Sequence, residues 1–248
     1  MQSVMRTLFL TTSSTCEANV KLLNEFLQSF AANNESDLLS VFVDLEGASR
    51  RVFLEHASQL YNAALQCSSD ITINVIPVLG PSGGSAEPAT VTKSFIEKNF
   101  TPFYSYVAVG GTFDHLHSGH KLLLTTALLH VTDKLRVGVT GDALLQKKKF
   151  ANQLQPIEKR KAVVEDFLRR IRKDVELEID TITDVSGGTD TIKDIKALVV
   201  SPETQGSLGI INDLRAKNEL PPLEPVLIPF VQSSSGVISS TKIREKIQ

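Results

Sequence analysis

Between Gly110 and His120 the chain reads GGTFDHLHSGH, with three glycines and three histidines in eleven residues. Gly110 and Gly111 end an apolar run, YSYVAV, and missing side chains at a strand end let a ligand phosphate reach the backbone. Thr112 adds a hydroxyl and Phe113 an aromatic ring beside that approach. His117 and His120 flank Ser118 and Gly119 where a helical apolar pattern, KLLLTTALL, begins. A helix N-terminus carries unpaired N–H groups and a partial positive charge. One helical turn therefore offers an anion two imidazoles, backbone donors and a favourable dipole. Imidazole donates a hydrogen bond without a permanent charge, which suits charge that grows on a phosphate during transfer. His115, His117 and His120 could instead bind a transition metal, or be plain loop residues. Glycine at both ends serves a phosphate and does nothing for a metal, so the phosphate reading is preferred. Neither G-x-x-x-x-G-K-[ST] nor G-x-G-x-x-G occurs.

A second phosphate candidate is ISSTKIR near the C-terminus. Ser239, Ser240 and Thr241 precede and open a helix, where one hydroxyl would suffice as a cap. Lys242 and Arg244 add positive charge, and arginine suits bidentate phosphate contact. Ser201 follows the apolar strand ALVV. Lys147, Lys148 and Lys149 follow the strand KLRVGVTG, where a solvated lysine face is the plain alternative. RRIRK, residues 169–173, reads as a solvated helix end.

These residues need a frame that holds strand ends together. From YSYVAVGG onward, strand patterns (KLRVGVT, VELEIDTIT, ALVV, PLEPVLIPF) alternate with helical ones, including PIEKRKAVVEDFLRRIRK with its apolar stripe. Such alternation gives a doubly wound parallel sheet, with ligands at the carboxyl ends of the strands. The junctions after Val109, Val139 and Val200 are therefore the expected site. RTLFLTT, LLSVFVDL and ITINVIPVL, separated by two helical patterns, form a smaller α/β domain before it. The Gly-, Ser- and Pro-rich GPSGGSAEPAT separates the two. The expected domains are residues 1–98, of unknown role, and 99–248. No chemical motif occurs in the first, and its His56 reads as a surface or half-buried residue.

Composition excludes several functions. The chain has 248 residues, a net charge of −2 and 42% hydrophobic residues. That balance gives no broad basic face for nucleic acid. No apolar run approaches the roughly 20 residues of a membrane span. The N-terminal stretch reads as a first strand rather than a signal peptide. Cys16 and Cys67 are too few for a disulfide framework, and a cytoplasmic location with free thiols is expected.

GGTFDHLHSGH resembles the signature of the nucleotidylyltransferase superfamily, with H-x-G-H at His117–His120. ISSTKIR is similar to that superfamily's second signature. VVSPET, IINDLRAKNELPPLEPV, VGVT and LQPIEKRK resemble the archaeal and eukaryotic branch of pantetheine-phosphate adenylyltransferase. The resemblance covers residues 104–248. It implies transfer of AMP from ATP to 4'-phosphopantetheine, giving dephospho-coenzyme A and pyrophosphate. It implies His117, His120 and a lysine, best matched by Lys148, as catalytic residues. Gly110, Gly111, Thr112, Phe113, Ser201, Ser239, Ser240, Thr241 and Arg244 would bind the nucleotide and phosphates. Mg2+ would enter bound to ATP rather than in a protein cage, and other coenzyme A pathway enzymes are an expected partner class. Bacterial members carry an arginine-rich segment where this chain has SPETQGS, and Arg215 is the candidate to replace it. Glu203 and Asn212 lie in the same family-like segment. With no P-loop among these residues, the reaction is expected to stop at dephospho-coenzyme A. The other readings are an adenylyltransferase acting on nicotinamide mononucleotide or a flavin, and a non-catalytic nucleotide-binding scaffold. A cytidylyltransferase is disfavoured because R-T-E-G-I-S-T is absent.

Overall fold

The apolar strand patterns assemble into two separate parallel sheets in the computed structural model. It describes residues 6–31, 38–67, 72–80, 88–146, 149–202, 204–228, 232–233, 236–237 and 240–247. The chain divides into two units, Met1–Val91 with Val231–Ile238, and Thr92–Phe230 with Ser239–Gln248.

The first unit contains β1 (Arg6–Thr11), α1 (Cys16–Ala31), β2 (Leu38–Asp44), α2 (Arg50–Cys67), β3 (Thr72–Leu79) and β4 (Ala89–Thr90). The sheet order is β1-β2-β3-β4, with the first three strands parallel and β4 antiparallel to β3. Leu39, Val41 and Val43 alternate into the core, and α1 packs on α2. His56 is buried between the helices rather than at the surface, with Nδ1 2.9 Å from Asn19 Nδ2. A short antiparallel pair, β10 (Gln232–Ser233) and β11 (Gly236–Val237), returns to this unit from late in the chain.

The second unit contains α3 (Lys93–Asn99), β5 (Tyr104–Gly111), α4 (Ser118–His130), β6 (Val131–Thr140), α5 (Ile157–Ile171), β7 (Glu176–Ile182), β8 (Ala197–Val200), α6 (Gln205–Lys217), β9 (Glu224–Leu227) and α7 (Ser240–Ile247). Its five strands are parallel, in the order β7-β6-β5-β8-β9. The order reverses between β5 and β8, so loops leaving these two strands part at their carboxyl ends and open a crevice. Helices α4 and α5 pack across β5, β6 and β7, and α6 packs on β8. Tyr106 and Ala108 join Leu198, Val200, Ile211 and Leu223 in one core layer. This is the doubly wound α/β domain expected from the sequence.

The unit boundary falls at 91/92, inside what the sequence reading assigned to the first domain. The cause is α3. Thr92 caps it, with Oγ1 accepting from the Phe95 N–H at 3.4 Å. The Lys93 N–H donates to Asp174 Oδ2 at 2.6 Å, and Ile96 and Phe100 are buried. Seven residues hold too few turns for a clear 3.6-residue period, so α3 is not read from the sequence and its residues fall on the first-domain side of the expected boundary. RRIRK is not wholly solvated either. Arg172 is fully buried, donating to the Leu128 carbonyl (2.8 Å), the Val131 carbonyl (2.6 Å) and both oxygens of Asp174. No described helix is long and apolar enough to cross a membrane.

Candidate active site

Strand β5 delivers Gly110 and Gly111 to the carboxyl edge of the sheet. A Cβ on Gly110 would meet nothing closer than the Gly138 carbonyl oxygen at 3.8 Å, so this position has room. A Cβ on Gly111 would lie 3.1 Å from the Phe113 ring. The second glycine thus makes space for Phe113 rather than for a ligand. Phe113 and His115 both adopt positive φ, 50° and 46°, which non-glycine residues seldom hold without support from their surroundings. The turn they form swings His117 to the N-cap of α4, with extended φ and ψ.

The two H-x-G-H imidazoles lie face to face, with centroids 3.7 Å apart and planes inclined by 21°. Phe113 packs against His120 at 5.2 Å. Burial pushes the His117 pKa down to about 4, and the charge of Lys121, one turn along the same helix, adds to the effect. His117 is therefore neutral at physiological pH. Its Nδ1 is buried with no hydrogen-bond partner among the described residues. Burial likewise lowers the Lys121 pKa to about 7, with Arg170 as the second cause. His115 takes no part in the imidazole pair. Its N–H donates to Gln155 Oε1 at 2.9 Å, and its Nε2 lies 3.1 Å from the Gln153 carbonyl.

Asp114, between the glycines and the histidines, is the hub of this edge and is completely buried. Its Oδ1 accepts from the Gln155 N–H at 2.9 Å. Its Oδ2 accepts from Arg244 Nη1 at 2.6 Å, and neither side chain of that pair is exposed. The Asp114 carbonyl accepts from Ser240 Oγ at 3.0 Å. One residue thus ties the histidine turn, the segment before α5 and the N-terminus of α7 together.

With this geometry in place, similarity to known proteins becomes informative. The cytidylyltransferase-like family model matches residues 108–246, more than half of the chain. The chain belongs to the cytidylyltransferase-like family. Within it, the relatives place the chain with the archaeal and eukaryotic phosphopantetheine adenylyltransferases. A phosphopantetheine adenylyltransferase of Methanopyrus kandleri is 39% identical over 142 residues, covering 57% of this chain and 89% of that protein. One of Saccharomyces cerevisiae is 33% identical over 150 residues, covering 58% of this chain and 49% of its own length. The uncharacterized protein C1F12.08 of Schizosaccharomyces pombe is 40% identical over 149 residues, covering 56% and 47%. The chain thus spans about half the length of the eukaryotic relatives it matches.

Several residues that this family membership suggested as ligand contacts have other partners. The Arg244 guanidinium is buried, held by Asp114 and by Thr241 Oγ1 at 3.2 Å. The Ser240 hydroxyl is occupied by the Asp114 carbonyl. Phe113 is 1% exposed and fills the space over Gly111. Arg215 cannot replace an arginine-rich segment, because it is fully buried and donates to the carbonyls of Pro221, Thr189, Ile192 and Ile195. Asn212 pairs with Leu223, its Oδ1 accepting from the Leu223 N–H at 2.8 Å. Ser201 does stand at the end of β8, across the crevice from β5, with its Oγ 3.1 Å from Thr204 Oγ1. Thr112 follows Gly111 directly and is partly exposed. Lys147, Lys148, Ser239 and Glu203 lie outside the described residues.

Asp114, Gln155 and Lys121 were missed from the sequence. Asp114 sits inside the recognised motif, but its partners Gln155, Ser240 and Arg244 lie far from it in sequence. No group of three or more His, Cys, Asp or Glu suited to a metal ion occurs among the described residues.

Proposed function

We propose that the second unit transfers the AMP moiety of ATP to 4'-phosphopantetheine, giving dephospho-coenzyme A and pyrophosphate. The observation that carries this reading is the stacked, half-buried imidazole pair at the α4 N-terminus, beside a glycine strand end, in a segment matching nearly the whole of an archaeal phosphopantetheine adenylyltransferase.

A phosphate oxygen of the acceptor attacks the α-phosphorus in line. The new O–P bond forms as the bond to the bridging oxygen of the β-phosphate breaks, and pyrophosphate leaves with that electron pair. The acceptor is already ionised at neutral pH, since a phosphate monoester has its second pKa near 6. No strong base is therefore needed, only alignment and stabilisation of charge. His120 and His117 donate to the α-phosphate and its developing charge. The open face over Gly110 and the Thr112 hydroxyl receive the acceptor phosphate. Lys148 would neutralise the attacking and transferring groups. Ser201, Ser239 and Thr241 remain as nucleotide contacts, with α7 offering its N-terminal amides to the outer phosphates. ATP enters as its magnesium complex, and the ion arrives with the substrate.

Pyrophosphate release from Mg-ATP, measured in parallel with 4'-phosphopantetheine, nicotinamide mononucleotide and flavin mononucleotide, tests the acceptor. Release with phosphopantetheine alone is expected. Release with either mononucleotide alone would replace the acceptor assignment, and nucleotide binding without release would make the protein a scaffold.

A further inference from the structure

We propose that Arg160 is a positioning residue that sets the acceptor side of the active site by clamping the ends of β5 and β6 together. This inference rests on the adenylyl-transfer reading above.

Strands β5 and β6 pair in register through Gly111 and Val139. Beyond that point the ladder has ended, yet the next residues, Thr112 and Thr140, still need a fixed separation. The Arg160 side chain, fully buried and reaching up from the first turn of α5, supplies it. Its Nη1 donates to the Thr112 carbonyl at 2.9 Å and to the Thr140 carbonyl at 2.7 Å. Its Nε donates to the Gln155 carbonyl at 2.9 Å, and its Nη2 to Asp142 Oδ1 at 2.7 Å. Every nitrogen of the guanidinium is used, and three of its four acceptors are backbone carbonyls.

Each of those acceptors controls a different part of the site. Fixing the Thr112 carbonyl fixes the peptide plane that leads into the positive-φ turn at Phe113, and with it the backbone position from which the Thr112 side chain leaves. Asp142 opens the 3-10 turn Asp142–Leu144, from which the chain runs on to the three lysines. The Gln155 backbone passes the constraint to Asp114 and so to the histidine turn. A lysine at position 160 has one nitrogen and no fork. It could reach one of these acceptors but could not hold two strand ends at a set distance.

A clamp of this kind predicts a split that general destabilisation would not give. ATP is gripped chiefly by the α4 and α7 N-termini, whereas the acceptor phosphate is received at Thr112. In Arg160→Lys, KM for the acceptor should rise and kcat fall, each on the order of tenfold or more, as for reacting groups displaced by a fraction of an ångström. KM for ATP should rise by a clearly smaller factor, since Arg160 reaches the α4 and α7 N-termini only indirectly, through Gln155 and Asp114. Methylguanidine should partly restore kcat in Arg160→Ala. Asp142→Asn removes only the ion pair to a side chain that is 72% exposed, and should shift acceptor KM in the same direction by a smaller factor. It decides the matter if Arg160→Lys does not fold.

Wild-type turnover is the first arm, with all three acceptors. If none is turned over, the functional reading has failed, and Arg160 is judged by hydrogen exchange alone. Faster exchange of the amides of residues 112–115 and 142–145 in the variant, with the β5–β6 core unchanged, would support the clamp. Equal rises in both KM values in the Arg160 and Asp142 variants, or uniform exchange across the unit, would overturn it.

Discussion

The buried pair between Asp114 and Arg244 makes a quantitative prediction that separates two roles for α7. If Arg244 read the outer phosphates of ATP, its loss would weaken ATP binding and spare AMP. The observed geometry requires something else. Both side chains are fully buried and the Nη1–Oδ2 distance is 2.6 Å. Removing one partner of such a pair costs about 3–5 kcal/mol, because the other charge is left in a desolvated site. In Arg244→Met, Asp114 still accepts the Gln155 N–H, so the lower part of that range, roughly 3–4 kcal/mol, is expected. For a unit of this size that corresponds to a fall in melting temperature of roughly 6–16 °C. Asp114→Asn should cost a similar amount, since the guanidinium keeps only Thr241 Oγ1. The double variant Asp114→Asn/Arg244→Met removes both charges together and should be less destabilised than the sum by about 2–3 kcal/mol. Denaturant unfolding of the four proteins gives the coupling, and calorimetry with ATP and AMP gives the binding. Arg244→Met should weaken both nucleotides by the same factor, or neither. An Arg244→Met protein within about 0.5 kcal/mol of wild type, the usual range for a surface change, with loss confined to ATP, would refute the buried-pair argument.

Other consequences are simpler to check. His120→Ala should fold normally and lower kcat on the order of a hundredfold or more, with less effect on KM for ATP, in steady-state kinetics. The His117 ring should titrate at about 4 by NMR rather than near the ordinary 6.5. Because its folded pKa lies below the unfolded one, its contribution to stability is present above pH 6.5 and is lost as pH falls toward 4. A chain beginning at Thr92 should melt higher than one beginning at Lys98, because the second lacks the α3 cap and the Lys93–Asp174 bond; equal melting would place α3 outside the catalytic fold.

The alternation of apolar strands and amphipathic helices was enough to read both sheets and the strand ends that matter. Those features depend on period, which a single sequence displays. H-x-G-H was legible because glycine and histidine at a strand-to-helix junction have few structural uses. The partners of the buried arginines were not legible. Arg160, Arg172, Arg215 and Arg244 look like ordinary charged residues on amphipathic helices, yet all four are fully buried. Arg160, Arg172 and Arg215 donate to backbone carbonyls, which have no sequence signature, and Arg244 to a carboxylate 130 residues away. Asp114 could be found only once α7 was seen to return to it across more than a hundred residues. The same long return hid β10 and β11, four residues in all, which belong to the first unit although the sequence surrounds them with the second.

Those arginine partners bear on how the reaction is run. Arg160 and Arg244 carry permanent charge at this end of the sheet, and the first spends it on backbone carbonyls and Asp142, the second on Asp114. A free guanidinium there would bind the phosphates of ATP strongly before reaction as well as during it. Uniform binding of that kind lowers KM without raising kcat. In the proposed reaction the groups that would face the α-phosphate are instead a helix N-terminus and two stacked imidazoles, of which His117 is held neutral. A neutral donor interacts modestly with a resting phosphodiester and more strongly as charge accumulates in the transition state. On the proposed function, burial of His117 would direct its contribution toward kcat, and the lysines after β6 would govern substrate affinity. Substitution of Lys148 should accordingly raise KM for both substrates more than it lowers kcat, the reverse of His120→Ala. Equal kcat and KM signatures for the two positions, in the same steady-state assay, would show that this division of roles does not exist.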